Sequence, residues 1–208
     1  MTVVTISREL GSQGTHIAEK VAAALDSSCI DKEVLAEMAH QAGVAVEVIV
    51  EAEERLLAQP RMVSQEMRHF FAADPRNRSQ PIDQATYVKQ MSEAIRFLAG
   101  QGNVVLVGRG AQVILHDHPD ALHIHLYAPA EVRARRIQQR RGLADLSKAT
   151  QIVEQVDQMR REWFRRFFVG VDWKNPSYYH LMIDTGRVTE EMAVEMIVRI
   201  AQMPSVPG

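Results

Sequence analysis

The residues with the clearest chemical potential lie near the start of the chain, in "VVTISRELGSQGTHIAEKVAAAL", residues 3–25. An apolar, β-branched run, Val3–Ile6, leads into a turn holding Gly11 and Gly14, and a segment of helical period begins near Ile17. Strand, glycine-bearing loop and helix start together suit a phosphate group. The first N–H groups of a helix have no intrahelical partner and point outward, and the helix dipole favours an anion there. Gly11 and Gly14 permit the close approach such a loop needs. Against the pattern G-x-x-x-x-G-K-[ST], however, the loop has no lysine. An ungapped match puts Arg8 at the first glycine, Gln13 at the second and Gly14 at the lysine. A one-residue slip keeps Gly14 as the second glycine, puts Thr15 at the lysine and leaves His16 at the magnesium-binding hydroxyl. In neither frame does the loop supply a lysine; Arg8 flanks it and could supply the cation, while Ser12 and Thr15 offer hydroxyls.

Arginine is the second signal. The chain has nineteen arginines against five lysines, and nine of the arginines fall between Arg133 and Arg166. Their planar forks match the oxygens of a phosphoryl group. In "EVRARRIQQRR", Arg133, Arg136 and Arg140 share a helix face, which is either aimed at phosphates or solvated beside Glu131 and Asp145. In "DQMRREWFRRFF", Trp163, Phe164, Phe167 and Phe168 are expected to pack as core. Arg160, Arg161, Arg165 and Arg166 then divide between surface and site. Interleaved aromatics and arginines could also stack on single-stranded nucleic acid, but the zone is short and the whole chain carries a net charge of −2. Arg109 follows a buried strand at its C-terminal end, where ligands sit in open α/β sheets. His123 and His125 share one face of a strand, a geometry that could hold zinc. No cysteine or carboxylate completes such a set, so no metal ligands are assigned.

These groups must be positioned by a fold, and the remaining pattern indicates which one. Continuous apolar runs mark strands at Val3–Ile6, Ser28–Ile30, Asn103–Gly108, Ala121–Ala128 and Tyr178–Asp184. Helices are expected from His16 to Leu25, from Lys32 to Gln41 behind Asp31, and from Asp83 to about Leu98. Others should run from Pro129 to Arg141, from Ser147 to Phe168, and from a Thr189 cap to Gln202. Strands alternating with helices predict an α/β domain with a parallel five-stranded sheet covered on both faces. The helical block at 44–101 is too long for one crossover and reads as an insertion. The 208 residues suit one domain. A single cysteine, Cys29, allows no internal disulfide and fits a reducing, cytoplasmic setting. No run is long and apolar enough for a membrane span, and no membrane or nucleic-acid partner is expected. Self-association is left open.

The blocks "TISRELGSQGTHIAEKVA", "IDKE", "VVLVGRGAQVIL", "LYAPAEVRARRI" and "FFVGVDWKNPSYYHLMIDTGRVT" come in an order that resembles the cytidylate kinase-like family of P-loop nucleoside-monophosphate kinases. The resemblance runs from Val3 to about Ile200. It implies a P-loop kinase fold with a helical acceptor-binding insertion at 44–101 and an arginine-rich lid at 133–168. It also implies transfer of the terminal phosphoryl of ATP to CMP, dCMP or a similar small acceptor, with Mg2+. By the same resemblance Arg8 and Gly11–Thr15 with His16 hold the nucleotide's phosphates. Arg109 faces the acceptor, Asp31 either caps a helix or contacts the acceptor, and Arg133, Arg136, Arg160 and Arg161 neutralise charge on closure. Asp184 and Arg187 either line the adenine side or form a turn. The chain departs from authentic cytidylate kinases at the loop lysine, at Gly110 where they carry the aspartate of Gly-Arg-Asp, and at Glu37 where their acceptor block has arginine. A catalytically weak or inactive nucleotide-binding module is the alternative.

Overall fold

A computed structural model describes residues 2–31 and 84–203. The chain divides into two units, Met1–Asp31 with Ile95–Gly208, and Lys32–Ala94. The helix expected at 32–41 and most of the block at 44–101 lie outside the described residues.

Five strands form one parallel sheet: β1 (Val3–Arg8), β2 (Ser28–Ile30), β3 (Val104–Val107), β4 (Ala121–Tyr127) and β5 (Leu181–Asp184). Their order is β2-β3-β1-β4-β5. Val3 opposes Val104 on one side of β1 and Ala121 on the other, and Ile124 of β4 opposes Leu181 of β5. Residues on both faces of β1 are buried, polar Thr5 and Ser7 included. That is what a central parallel strand with helices above and below requires. The described helices are α1 (Gly14–Ala24), α2 (Gln84–Gln101), a single turn α3 (Ala111–Ile114), α4 (Ala130–Arg141), α5 (Leu146–Phe167) and α6 (Glu190–Ala201).

Several boundaries differ from the sequence reading, and three of them have a clear local reason. β1 runs two residues past Ile6 because Ser7 and Arg8 pair with His125 and Leu126 of β4. α1 starts at Gly14 instead of His16, since Gln13 takes the left-handed conformation (φ 62°) and its carbonyl accepts from Ile17 N–H at 3.1 Å. β5 starts at Leu181, because Pro176 donates no hydrogen bond and Pro176–Tyr178 close a short 3-10 turn capped by Asn175. α5 is capped by Asp145, whose carboxylate accepts from Ser147 N–H at 2.7 Å.

The core beneath the glycine loop comprises Val4 and Ile6 of β1, Ile17 and Val21 of α1, Val105 of β3, Ile124 and Leu126 of β4, and Ile197 of α6, all fully buried. Cys29 is half-buried against this cluster, and burial raises its thiol pKa. The chain leaves β1 toward β2 on one side of the sheet and leaves β4 toward β5 on the other. A crevice therefore opens at the C-terminal ends of β1 and β4, the place where α/β sheets bind ligands. No described helix is long and apolar enough to cross a membrane.

Ile124 sits at the middle of this core with no exposed surface. Truncating it in Ile124→Ala should lower unfolding free energy by about 2–5 kcal/mol. The urea midpoint should fall while the slope of the transition is unchanged.

Candidate active site

The glycine loop, Glu9–Gln13, is held from behind by its carbonyls. Arg8 C=O accepts from Arg160, Glu9 C=O from Ser12 N–H (3.2 Å) and Oγ (2.8 Å), Leu10 C=O from Arg133 (3.4 Å) and Gly11 C=O from Arg136 (3.2 Å). With the loop fixed this way, α1 begins at Gly14 with no side-chain cap. The amides of Gly14, Thr15 and His16 are thus the outward-facing donors of a helix start. Gly11 has φ +83°, and a Cβ there would lie 2.8 Å from the Arg133 carbonyl oxygen. Only glycine lets the loop seat on the first turn of α4.

Behind the loop lies a buried ionic cluster that sequence reasoning missed. Glu9 (5% exposed), Arg133 (3%) and Asp157 (7%) meet with Lys174. Arg133 Nε donates to Glu9 at 3.0 Å, and its two Nη atoms grip Asp157 bidentately at 3.2 and 2.9 Å. Lys174 Nζ pairs with Glu9 and lies 3.6 Å from Asp157. Two carboxylates thus face two cations. Trp173, also buried, lies between Arg160 and Lys174, with its ring centroid 5.0 and 4.9 Å from their charges. No pattern at helical or strand spacing joins residues 9, 133, 157 and 174. A buried carboxylate directly after a strand was the one available hint.

At the mouth of the loop, Arg8, Arg109 and Arg160 converge. Burial pulls the Arg8 guanidinium pKa down to about 10, helped by the charges of Arg160 and Arg109 and opposed by Asp31. Burial also lowers the pKa of Arg160. Arg109 occupies a left-handed conformation (φ 57°) between two positive-φ glycines, Gly108 and Gly110. A Cβ on Gly110 would lie 2.6 Å from the Phe168 ring at the end of α5. A side chain at 110, such as the aspartate of the Gly-Arg-Asp block, would need the Phe168 ring to move and would sit at a positive φ of 68°.

The expected site residues separate into groups. Arg8, Arg109 and Arg160 stand together, and Asp31 is close enough to Arg8 to act on its charge. Arg133 is corrected: it faces neither solvent nor the mouth of the loop, but points inward and is consumed by Glu9, Asp157, Ala128 C=O and Leu10 C=O. Arg136 spans from Gly11 C=O to Thr185, bonding its Oγ1 at 3.1 Å and its carbonyl at 2.7 Å. Arg161 is exposed on α5 and bonds Gln158. The Ser12 hydroxyl is committed to the loop itself, whereas Thr15 and His16 are exposed. Gln13 and Arg136 line an open cleft of about 470 Å³ with Thr185, Arg187, Thr189 and Glu190. Asp184 closes a turn, its carboxylate accepting from Gly186 N–H at 2.8 Å.

The aromatics of α5 pack on one another, with the Trp163 ring centroid 5.0 Å from Phe164 and 5.2 Å from Phe167. His123 lies between Thr5 Oγ1 (2.8 Å) and Leu115 C=O (3.2 Å). Among the described residues no group of three His, Cys, Asp or Glu could hold a metal ion.

This geometry agrees with what the chain is similar to. The sequence profile of the cytidylate kinase-like family matches residues 3–187. The chain belongs to that family. It is 35% identical over 104 residues to a cytidylate kinase of Methanopyrus kandleri, which covers 46% of this chain and 53% of that relative. A cytidylate kinase of Sulfolobus acidocaldarius is 29% identical over 52% of this chain and 58% of its own length. The chain thus spans little more than half of these two curated relatives. One from Pyrobaculum arsenaticum is 28% identical over 95% of this chain and 91% of its own length. Among solved structures, an uncharacterized protein from Eubacterium ventriosum superposes with a TM-score of 0.70 at 21% identity, over 98% of this chain and all of that one. Shikimate kinase from Acinetobacter baumannii, in complex with shikimate, gives 0.50 at 12% identity over 96% and 92% of the two chains. The family member described here has the P-loop kinase fold.

Two outcomes follow from the buried groups. Glu9→Gln leaves Arg133 and Lys174 short of a counter-charge and should cost about 3–5 kcal/mol, read as a loss of urea midpoint. Burial pushes His125 down to about 3, with Arg160 and Lys174 adding to the effect, and His123 down to about 4 with His180 adding. Both folded values lie below the ordinary histidine value, so the unfolded chain binds more protons. Stability contributed by these neutral rings is complete above about pH 6.5 and falls as the pH drops toward 4. Each ring contributes a slope of up to about 1.4 kcal/mol per pH unit. His125→Phe should flatten the fall in a denaturation series from pH 7 to pH 4.5.

Proposed function

We propose that the protein is a nucleoside-monophosphate kinase-like phosphotransferase that moves the terminal phosphoryl of ATP to CMP, dCMP or a similar small acceptor. The observation that carries this reading is the convergence of Arg8, Arg109 and Arg160 on an uncapped helix start behind a glycine loop. Phosphoryl transfer asks the protein for in-line positioning and for positive charge around the moving oxygens. The amides of Gly14 to His16 would cradle the donor's phosphate chain, and Arg109, at the end of β3, would face the acceptor's phosphate. Arg160, held to Arg8 C=O and over Trp173, would place a fork between the two. The cleft beside Gln13 and Arg136 has room for the donor's base and ribose.

The donor groups fit a phosphate chain: free helix amides, glycine positions without room for a Cβ, and three cations. For Mg2+ the loop offers the exposed Thr15 hydroxyl, which stands at the hydroxyl position of the ungapped frame. Magnesium usually takes its other ligands from phosphates and water, and would neutralise phosphate charge there. The three named relatives support the acceptor class. A cytoplasmic setting is part of the same proposal.

A second reading has an observation in its favour. With no loop lysine and with Phe168 filling the space at Gly110, the protein would bind nucleotide without transferring phosphoryl. Calorimetry that finds ATP binding beside a null transfer assay would select it.

The test of the first reading is ADP release with a panel of monophosphates at saturating magnesium. Arg109→Ala should lower kcat/KM for the preferred acceptor by about 10²–10³-fold, while Arg135→Ala, an exposed arginine paired with Glu131, should stay within about twofold. Absence of turnover with every acceptor would refute transfer.

A further inference from the structure

We propose that Arg8 is the cation of the phosphate loop, in a reciprocal replacement: arginine stands where the loop's first glycine would be, and glycine stands where its lysine would be. The inference rests on reading the loop as a nucleotide site. It deepens that reading by naming the group that does the lysine's work.

Arg8 ends β1 and Gly14 begins α1, six positions apart, as the first glycine and the lysine are in the ungapped pattern. The two residues are also in contact. A Cβ on Gly14 would lie 2.8 Å from Arg8 Cγ, and closer still to Arg8 Cβ. The stem of Arg8 therefore fills the volume from which a lysine side chain at 14 would start. Lysine at 14 and arginine at 8 exclude each other sterically.

Beyond Gly14 the side chain continues across the sheet ends to Gly108. A Cβ on Gly108 would meet an Arg8 guanidinium nitrogen, so the tip of the side chain lies directly against that glycine. Gly108 has φ +82°, a reason for glycine there. The guanidinium is delivered beside the Gly108–Gly110 turn, which bears Arg109. The charges of Arg160 and Arg109 act against the Arg8 charge there and that of Asp31 supports it, while burial adds the largest cost. A bound polyphosphate would relieve it. Arg160 also holds the Arg8 carbonyl, which fixes the backbone from which the side chain departs. A guanidinium offers two parallel donors where an ammonium offers a point charge, so the exchange conserves the charge and changes the hydrogen-bonding shape.

The test combines binding and rescue. ADP and inorganic triphosphate, each with Mg2+, are titrated calorimetrically into the wild type, Arg8→Gly, Gly14→Lys and the double variant Arg8→Gly/Gly14→Lys, with unfolding midpoints measured in parallel. Arg8→Gly should weaken both ligands by about 10–100-fold. Gly14→Lys alone should lower the unfolding midpoint, because its side chain meets Arg8. The double variant should regain the midpoint and return affinity to within about tenfold of wild type, a rescue that a purely structural arginine would not give. Arg8→Met keeps the stem across Gly14 and removes the charge. It should lose affinity without losing the midpoint, and it decides the case where Arg8→Gly does not fold. Wild-type affinity in Arg8→Met, or a folded double variant that does not recover, overturns the proposal. Binding without phosphoryl transfer in the wild type would refute the kinase reading and leave the Arg8 assignment standing. No ADP or triphosphate binding by the wild type refutes both.

Discussion

The buried ion cluster of Glu9, Arg133, Asp157 and Lys174 is the constraint on which the rest of the site depends. It costs several kcal/mol per charge to remove such groups from water, and mutual attraction only about offsets that cost when every fork is satisfied. Here the forks are satisfied. Arg133 spends Nε on Glu9 and Ala128 C=O and both Nη atoms on Asp157. The cluster's contribution is thus geometric more than energetic. It ties the residue after β1, the first turn of α4, the middle of α5 and the strap through Trp173 into one rigid body. Aliphatic side chains of equal volume could fill the space, but they would not fix which atom of the loop meets which helix.

From that anchor the polarity of the loop follows. A glycine loop is a chain of dipoles with two faces. Arginines from α4 and α5, together with the Ser12 amide and hydroxyl, occupy its carbonyls. What remains facing the crevice is amide. Arg133 and Arg136, which a lid model would send onto a ligand, are thereby used to polarise the loop from behind, while Arg160 both holds the Arg8 carbonyl and adds its charge to those of Arg8 and Arg109.

How much of this was legible in sequence depends on range. The five strands were readable because a doubly covered parallel strand is apolar on both faces, as Val104–Val107 shows. The loop was readable because Gly11 and Gly14 sit between a strand and a helical period. Arg133 was placed on the correct helix but the wrong face. Its period is shared with Arg136 and Arg140, and only Asp157, twenty-four residues away, turns it inward. Glu9, Lys174 and Gln112 went unseen for the same reason. Gln112 is buried and donates to Tyr179 Oη at 3.2 Å, sixty-seven residues distant. Local periodicity carries no information about such pairs. Sequence offered two frames for the loop and could not choose between them, since Arg8 lying across Gly14 is a contact and not a pattern.

The same distinction bears on the acceptor. The turn that carries Arg109 is shaped by glycine on both sides, and on one side the reason is Phe168. Its ring occupies the volume that a side chain at 110 would need, so the end of α5 is packed directly onto the acceptor-side turn. The turn presents a charge through Arg109, and the sequence places glycine, not a carboxylate, on either side of it. And any displacement of the end of α5 moves both the aromatic ring that backs Arg109 and, through Arg160 on the same helix, the fork that holds the Arg8 carbonyl. The sheet ends and the end of α5 are thus joined through Phe168 and Arg160. A family name drawn from cytosine does not by itself fix an acceptor for this chain.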